Sequence, residues 1–122
     1  MPTRNIKKLL TMYEELIDRL DSVAQNQRTP PGILEKLSAV RDSQVTASVM
    51  LNPRTPSRTL EKELKLRSGV GGTDEEARTH ICYNPALRIM VLKKLTKSDP
   101  SPAVRAAGRR ALAMRKQKLN EK

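Results

Sequence analysis

Cys82 and His80 are the only cysteine and the only histidine in the chain, so any thiol nucleophile, zinc site or disulfide would have to be built from this pair. One thiol cannot close an intramolecular disulfide, and one Cys with one His falls two donors short of the four ligands of a structural zinc ion. A Cys–His nucleophile also needs a third group to orient the base, and none stands nearby in sequence. The plainer expectation is a half-buried thiol on a helix face. Asp74, Glu75 and Glu76 are the densest acids. They follow Thr73 at a point where a helix is expected to open, and carboxylates there serve the helix dipole rather than proton transfer. The stretch Gly69-Val70-Gly71-Gly72 has no Gly-Lys-Ser/Thr after it and no strand before it, as a phosphate cradle would require. With no paired acids and no Ser–His or Cys–His arrangement in a helical or strand context, neither an enzyme nor a bound cofactor or metal is expected. A base-repair enzyme would further need aromatic residues over an extruded base, and the chain has only Tyr13 and Tyr83.

The chemistry that remains is cationic. The 24 Lys and Arg outnumber 13 Asp and Glu, for a formal charge of +11. From Arg88 to Lys122 there are 11 basic residues against Asp99 and Glu121, so this last third carries +9 and everything before it only +2. A basic end points first to nucleic acid and second to an anionic surface or acidic protein. The candidate phosphate-contacting residues are Arg88, Lys93, Lys94, Lys97, Arg105, Arg109, Arg110, Arg115 and Lys116. A solvated face kept for solubility is the competing explanation. The crowding of so many bases into one third of the chain speaks against it.

These side chains need a scaffold, and the sequence repeats itself. Asn26, Thr29, Pro30, Leu34 and Lys36 recur 26 positions later as Asn52, Thr55, Pro56, Leu60 and Lys62. They recur again, 32 positions further, as Asn84, Leu92 and Lys94. A period of this size marks units that bury their apolar sides only by stacking on one another. The six extra residues of the second interval fall on the Gly-rich stretch before Thr73, where an insertion goes to a loop. With 122 residues and no Trp or Phe, one domain with a thin core of Leu, Ile, Val, Met and Ala is expected.

The elements follow from the breakers. A helix from about Arg4 to Ala24 places Ile6, Leu9, Leu10, Tyr13, Leu16, Ile17, Leu20 and Val23 on one side, and as the terminal unit it should cap the first full repeat. Thr29 stands where an N-cap belongs, with Pro30 at the first helical position. A short helix then ends near Ser38 to Arg41, and a second opens at Asp42 or Ser43 and stops before Pro53. The same pattern repeats through Leu60 and Leu64, and again from Ala77 through Ile81 to Leu95. A final helix opens with Ser101 as cap and Pro102 in the first turn. On it Val104, Ala107, Ala111 and Met114 share one face, and Arg105, Arg109 and Lys116 another, with Arg110 and Arg115 at the borders. Fraying is expected from Lys118. Asn26, Asn52 and Asn84 each precede a turn, where an Asn side chain accepts from the backbone two residues on. The domain divides as a capping helix over 1–25, repeats over 26–112 and a basic tail over 113–122.

The run Val45-Thr-Ala-Ser-Val-Met-Leu-Asn-Pro-Arg-Thr-Pro-Ser-Arg-Thr-Leu-Glu-Lys resembles the variant leucine-rich repeat family. Its echoes at Val23–Leu37, Ile81–Leu95 and Ser101–Ala107 extend the resemblance over roughly residues 23 to 112. The resemblance implies an all-α, short right-handed α-solenoid of alternating α- and 3₁₀-helices, without the strands of ordinary leucine-rich repeats. It implies no common enzymatic activity. A family member with a cysteine-ligated iron–sulfur cluster is no guide here, since a single Cys cannot hold one.

The expected function is therefore non-enzymatic nucleic-acid binding, DNA ahead of RNA, by backbone contacts from the basic C-terminal repeats. Single-strand binding by stacking lacks its aromatic platforms. The stretch Pro31–Leu51 has the spacing of a helix-turn-helix, though the repeat explains it better. The alternative from another class is a protein-interaction scaffold for an acidic partner. No apolar run approaches the roughly 20 residues of a membrane span and the start carries no secretory signal, so a cytoplasmic protein is expected. Nothing in the sequence sets an oligomeric state.

Overall fold

The structure, a computed structural model, describes residues 3–120. Among them are seven helices and no strand: α1 (Thr3–Gln25), α2 (Pro31–Ser38), α3 (Ser43–Leu51), α4 (Ser57–Leu66), α5 (Gly72–Cys82), α6 (Ile89–Ser98) and α7 (Pro102–Asn120). The expected alternation with 3₁₀-helices is replaced by α-helices throughout these residues. The segments between breakers are 8 to 11 residues long, enough for two or three full turns. Four of them close an i to i+4 bond onto the cap carbonyl, Leu34 N–H to Pro30 O (3.2 Å), Thr46 N–H to Asp42 O (2.8 Å), Leu60 N–H to Pro56 O (3.2 Å) and Leu92 N–H to Arg88 O (3.1 Å).

Helix α7 runs to Asn120 instead of fraying at Lys118. No Pro or Gly follows Gly108, and Ala, Leu, Met, Arg, Lys and Gln are strong helix formers. Glu121 and Lys122 lie outside the described residues. No described helix is long and apolar enough to cross a membrane.

Helices α1, α3, α5 and α7 touch in succession, and α2, α4 and α6 pack against that row. The core follows the same line. One cluster joins Ile17, Ala24, Leu34, Leu37, Val45 and Val49. The next joins Met50, Leu60, Ile81, Cys82, Leu92, Val104 and Ala111, among others. Helix α3 contributes to both, so the apolar interior is carried from one unit to the next.

The three Asn residues make the bond foreseen for them. Asn26, Asn52 and Asn84 each accept, through Oδ1, the N–H of the residue two positions on, at 2.9 Å in every case. Two of them also reach backwards. Asn52 Nδ2 donates to Ala24 O (2.7 Å) and Asn26 O (3.0 Å), and Asn84 Nδ2 donates to Met50 O (2.6 Å) and Asn52 O (3.0 Å). Each amide thus satisfies helix-end carbonyls of the preceding unit, groups that otherwise stay unpaired. Thr29 and Thr55 likewise point back: their hydroxyls donate to Val23 O (2.6 Å) and Val49 O (2.5 Å) and do not cap the helix ahead. The extended residues Pro30 and Pro56 hold those N-cap positions, without a side-chain hydrogen bond.

Other caps fall where expected. Asp42 accepts from Gln44 N–H (2.9 Å) and Val45 N–H (3.1 Å), and Ser101 Oγ accepts from Val104 N–H (3.3 Å). Asp74 and Glu75 accept from Gly69 N–H (3.2 Å) and Gly71 N–H (2.7 Å), which makes them braces of the Gly-rich loop.

Helix α1 packs on both helices of the first repeat, α2 and α3, but not along its whole length. Only its last third packs, with Ile17, Leu20, Asp21 and Ala24 meeting α2 and α3. At ~1.5 Å per residue a 23-residue helix is ~34 Å long, and the eight- and nine-residue helices beneath it cover ~14 Å.

Candidate nucleic-acid interface

The nine candidate cations sit on α6, on α7 and at the residue before α6, and they do not form one surface. Arg88, at the N-cap of α6, is tied to Glu61 on α4 through Nη2–Oε1 (2.6 Å) and Nε–Oε2 (3.0 Å). That contact holds the Glu61 carboxyl below the usual range and raises the guanidinium. Arg115 turns inward, donating from Nη2 to Asn84 O at 2.9 Å, and its partial burial lowers its pKa. Arg105 is partly buried, with Nη1 donating to Asp99 O at 2.6 Å.

The relative phase of α6 and α7 is set at one contact. A Cβ on Gly108 would lie 2.7 Å from Thr96 Cγ2 and 3.5 Å from the Thr96 backbone, so the Thr96 side chain packs directly on the Gly108 backbone at this point. Thr96 marks the flank of α6 that meets α7, and Gly108 the flank of α7 that meets α6. At 100° per residue, Lys93 and Lys97 follow Thr96 on the solvent side of α6, and Arg105, Arg109 and Lys116 follow Gly108 on the solvent side of α7. These five line the outer side of one seam. Lys94 lies at its far edge, beside Lys65 and Glu61 in the groove between α4 and α6. Arg110 is about 100° round α7 from the Arg105–Arg109–Lys116 row and faces away from the seam.

Neither α6 nor α7 contributes an acid to this surface. From Arg88 to Asn120 the single carboxylate is Asp99, and it is buried against Arg78, with Nε–Oδ2 at 2.9 Å and Nη2–Oδ1 at 3.2 Å. Arg78 also donates to Arg67 O and, at 2.6 Å, to Gly69 O. It therefore ties the Gly-rich loop to the α6–α7 turn. Breaking such a pair typically costs 3–5 kcal/mol, so Asp99 is committed to structure. None of the five seam cations is ion-paired among the described residues.

No family model matches this chain, and neither does any curated protein or solved structure. The case for function therefore rests on the side chains themselves. A groove of about 560 Å³ between α2 and α4 includes none of the seam residues, and its carboxylates are satisfied: Glu63 pairs with Arg41 (2.6 Å) and Arg67 (3.1 Å), and Glu35 with Arg58 (2.7 Å). No group of three or more His, Cys, Asp or Glu side chains is placed to hold a metal among the described residues. Cys82 is fully buried, not half-buried, and burial together with the nearby Asp99 pushes its thiol up to about 11. The helix with the spacing of a recognition helix, α3, carries no basic residue and is packed against α1, α2 and α5.

Proposed function

We propose that the chain is a short right-handed solenoid of variant leucine-rich-repeat type whose terminal hairpin, α6–α7, binds nucleic acid through phosphate contacts, with duplex DNA as the leading ligand. The observation that carries this reading is a seam of five cations, Lys93, Lys97, Arg105, Arg109 and Lys116, to which α6 and α7 add no acid because Asp99, the one carboxylate between Arg88 and Asn120, is withdrawn into the interior. The backward-reaching amides of Asn52 and Asn84 support the stacked-repeat half of it.

The dimensions suit a phosphate polymer. From Arg105 to Lys116 the seam spans ~16 Å of helix, a length over which one strand of a duplex presents about five phosphates at ~3.4 Å each. Backbone contacts of this kind carry no base preference, so the activity is sequence-independent binding.

A fluorescence-anisotropy titration against random duplex at several salt concentrations tests it. With about five phosphates neutralised, the slope of log K against log salt is expected near −4 to −5. Affinity should then fall by about 10²- to 10³-fold between 50 and 200 mM salt. Lys93→Gln/Lys97→Gln/Arg109→Gln/Lys116→Gln should flatten the slope toward −1. Arg88→Gln/Arg110→Gln/Lys118→Gln, which removes charge elsewhere, should leave it near the parent value. Equal losses in both variants would show diffuse attraction in place of a seam. No binding by the parent at low salt would pass the surface to an acidic protein partner.

A further inference from the structure

Helix α1 leaves most of its apolar stripe uncovered. Ile6, Leu9, Leu10, Met12, Tyr13 and Leu16 are each 44–55% exposed, whereas Ile17, one position on, is buried against the α2–α3 unit. The bare segment is therefore residues 6 to 16, and its midpoint is Thr11.

The residues about that midpoint are arranged as a palindrome. Counting outward from Thr11, Leu10 answers Met12, Leu9 answers Tyr13, and Ile6 answers Leu16, apolar against apolar in each case. Over the same span Lys8 answers Glu14 and Lys7 answers Glu15, base against acid. A surface complementary to its own reversed copy is what a two-fold interface requires. We propose that α1 pairs antiparallel with α1 of a second copy of this chain, in a register centred on Thr11.

Three features favour this occupant. In the antiparallel arrangement the basic first turns of one helix run level with the acidic middle of the other, on the flanks away from the stripe, a long-range bias toward this orientation, while a parallel pair would set like charge level with like. The overlap closes where it should, because the start of the partner's helix arrives beside Ile17, where α1 begins to be covered by its own chain. Covering the exposed half of six large side chains would remove on the order of 500 Å² of surface per copy. The total, about 1,000 Å², lies at the low end for specific association, so the dimer should be reversible and concentration-dependent, with a dissociation constant in the micromolar range. The basic seam belongs to α6 and α7, so this dimer and the nucleic-acid reading stand or fall separately.

Sedimentation equilibrium on the full chain in 150 mM salt, without nucleic acid, is the first test. A monomer–dimer equilibrium with a micromolar constant is expected. Leu9→Ala/Tyr13→Ala should weaken it at least tenfold with an unchanged circular-dichroism spectrum, since both side chains are exposed in the single chain. Lys7→Glu/Lys8→Glu should also weaken self-association, and mixing it with Glu14→Lys/Glu15→Lys should restore a dimer. Oxidising a mixture of Leu9→Cys and Tyr13→Cys chains should give the mixed disulfide in excess over either self-disulfide, the buried Cys82 taking no part. A monomer up to several hundred micromolar overturns the proposal. So do predominant Leu9→Cys self-disulfides, which indicate parallel pairing, and so does a stripe that engages anionic vesicles with no self-association.

Discussion

Replacing each repeat asparagine by alanine should produce unequal losses, and the structure sets their ratio. Asn26 is exposed and its side chain makes one hydrogen bond, to Arg28 N–H. Asn52 and Asn84, each 3% exposed, make three: one to the turn ahead and two to carbonyls of the unit behind. At a net ~1 kcal/mol per buried bond, with some added cost for stranded carbonyls, Asn52→Ala and Asn84→Ala should each lose about 3 kcal/mol. Asn26→Ala should lose less than ~1 kcal/mol. For a chain of this size 3 kcal/mol lowers Tm by about 10 °C. Urea unfolding followed by circular dichroism at 222 nm reads the difference as a shift in midpoint.

A second substitution at the same site separates the two directions of bonding. Asn84→Asp keeps the oxygen that accepts from Ala86 N–H but sets an acceptor against Met50 O and Asn52 O. Burial beside two carbonyls raises the pKa of such a carboxyl in the folded state above its unfolded value. The variant should therefore be most stable at low pH and lose stability as pH rises. If Asn26→Ala proves as costly as Asn84→Ala, or if Asn84→Asp is indifferent to pH, the backward bonds are not what joins the units.

Gly108→Ala should destabilise by about 1–2 kcal/mol despite alanine's better helix propensity, because the new methyl meets Thr96 Cγ2 at 2.7 Å. Adding Thr96→Ser removes that methyl and should recover most of the loss, and a non-additive double-mutant cycle in urea would confirm the contact. The Cys82 thiol, raised to about 11 by burial and by Asp99, binds its proton more tightly in the folded chain than the roughly 8.5 of a free thiol. Its contribution is fully present below about pH 8.5 and is lost as pH rises toward 11, a window worth about 3 kcal/mol that Cys82→Ala should abolish. At pH 8 the native thiol should react with iodoacetamide only through unfolding, and rapid labelling of folded protein would refute its burial.

Much of the fold was legible because its punctuation is local. Asp42 and Ser101 start helices where their side chains reach the next free N–H groups, and each Asn braces the turn two residues ahead. Contacts between units were not legible. The Asn52–Asn26 and Asn84–Asn52 bonds span 26 and 32 positions, the repeat intervals themselves, but the intervals do not say which atoms meet, and nothing periodic announces Arg78 meeting Asp99 across the Gly-rich loop. The direction of the Thr29 and Thr55 hydroxyls was misjudged for a related reason, since both a forward N–H and a backward carbonyl lie within reach. For the candidate site, helical spacing on α7 groups Arg105, Arg109 and Lys116, but it does not foresee the inward bond of Arg105 to Asp99 O. The phase of α6 against α7 depends on the Thr96–Gly108 approach, a tertiary fact.

The division between arginine and lysine accounts for part of the reduction from nine cations in sequence to five on the seam: Arg88 and Arg115 are taken up by internal bonds, Lys94 and Arg110 face elsewhere, and Arg105 keeps its place in the row while donating one N–H to Asp99 O. Every ion pair between a carboxylate and a Lys or Arg in the described residues uses arginine: Arg41, Arg58, Arg67, Arg78 and Arg88. The guanidinium bonds to backbone carbonyls also come from arginines, Arg105 and Arg115 among them. A planar fork suits fixed carbonyls and carboxylates, whereas an ammonium on a flexible stem keeps its hydration and its freedom. Arginine is thus the cation this fold uses to hold units together, and a count of positive residues overstates the charge available outside. On α7 that leaves Arg109 and Arg110 as the arginines without a protein partner, and only Arg109 shares a face with the lysines of the seam.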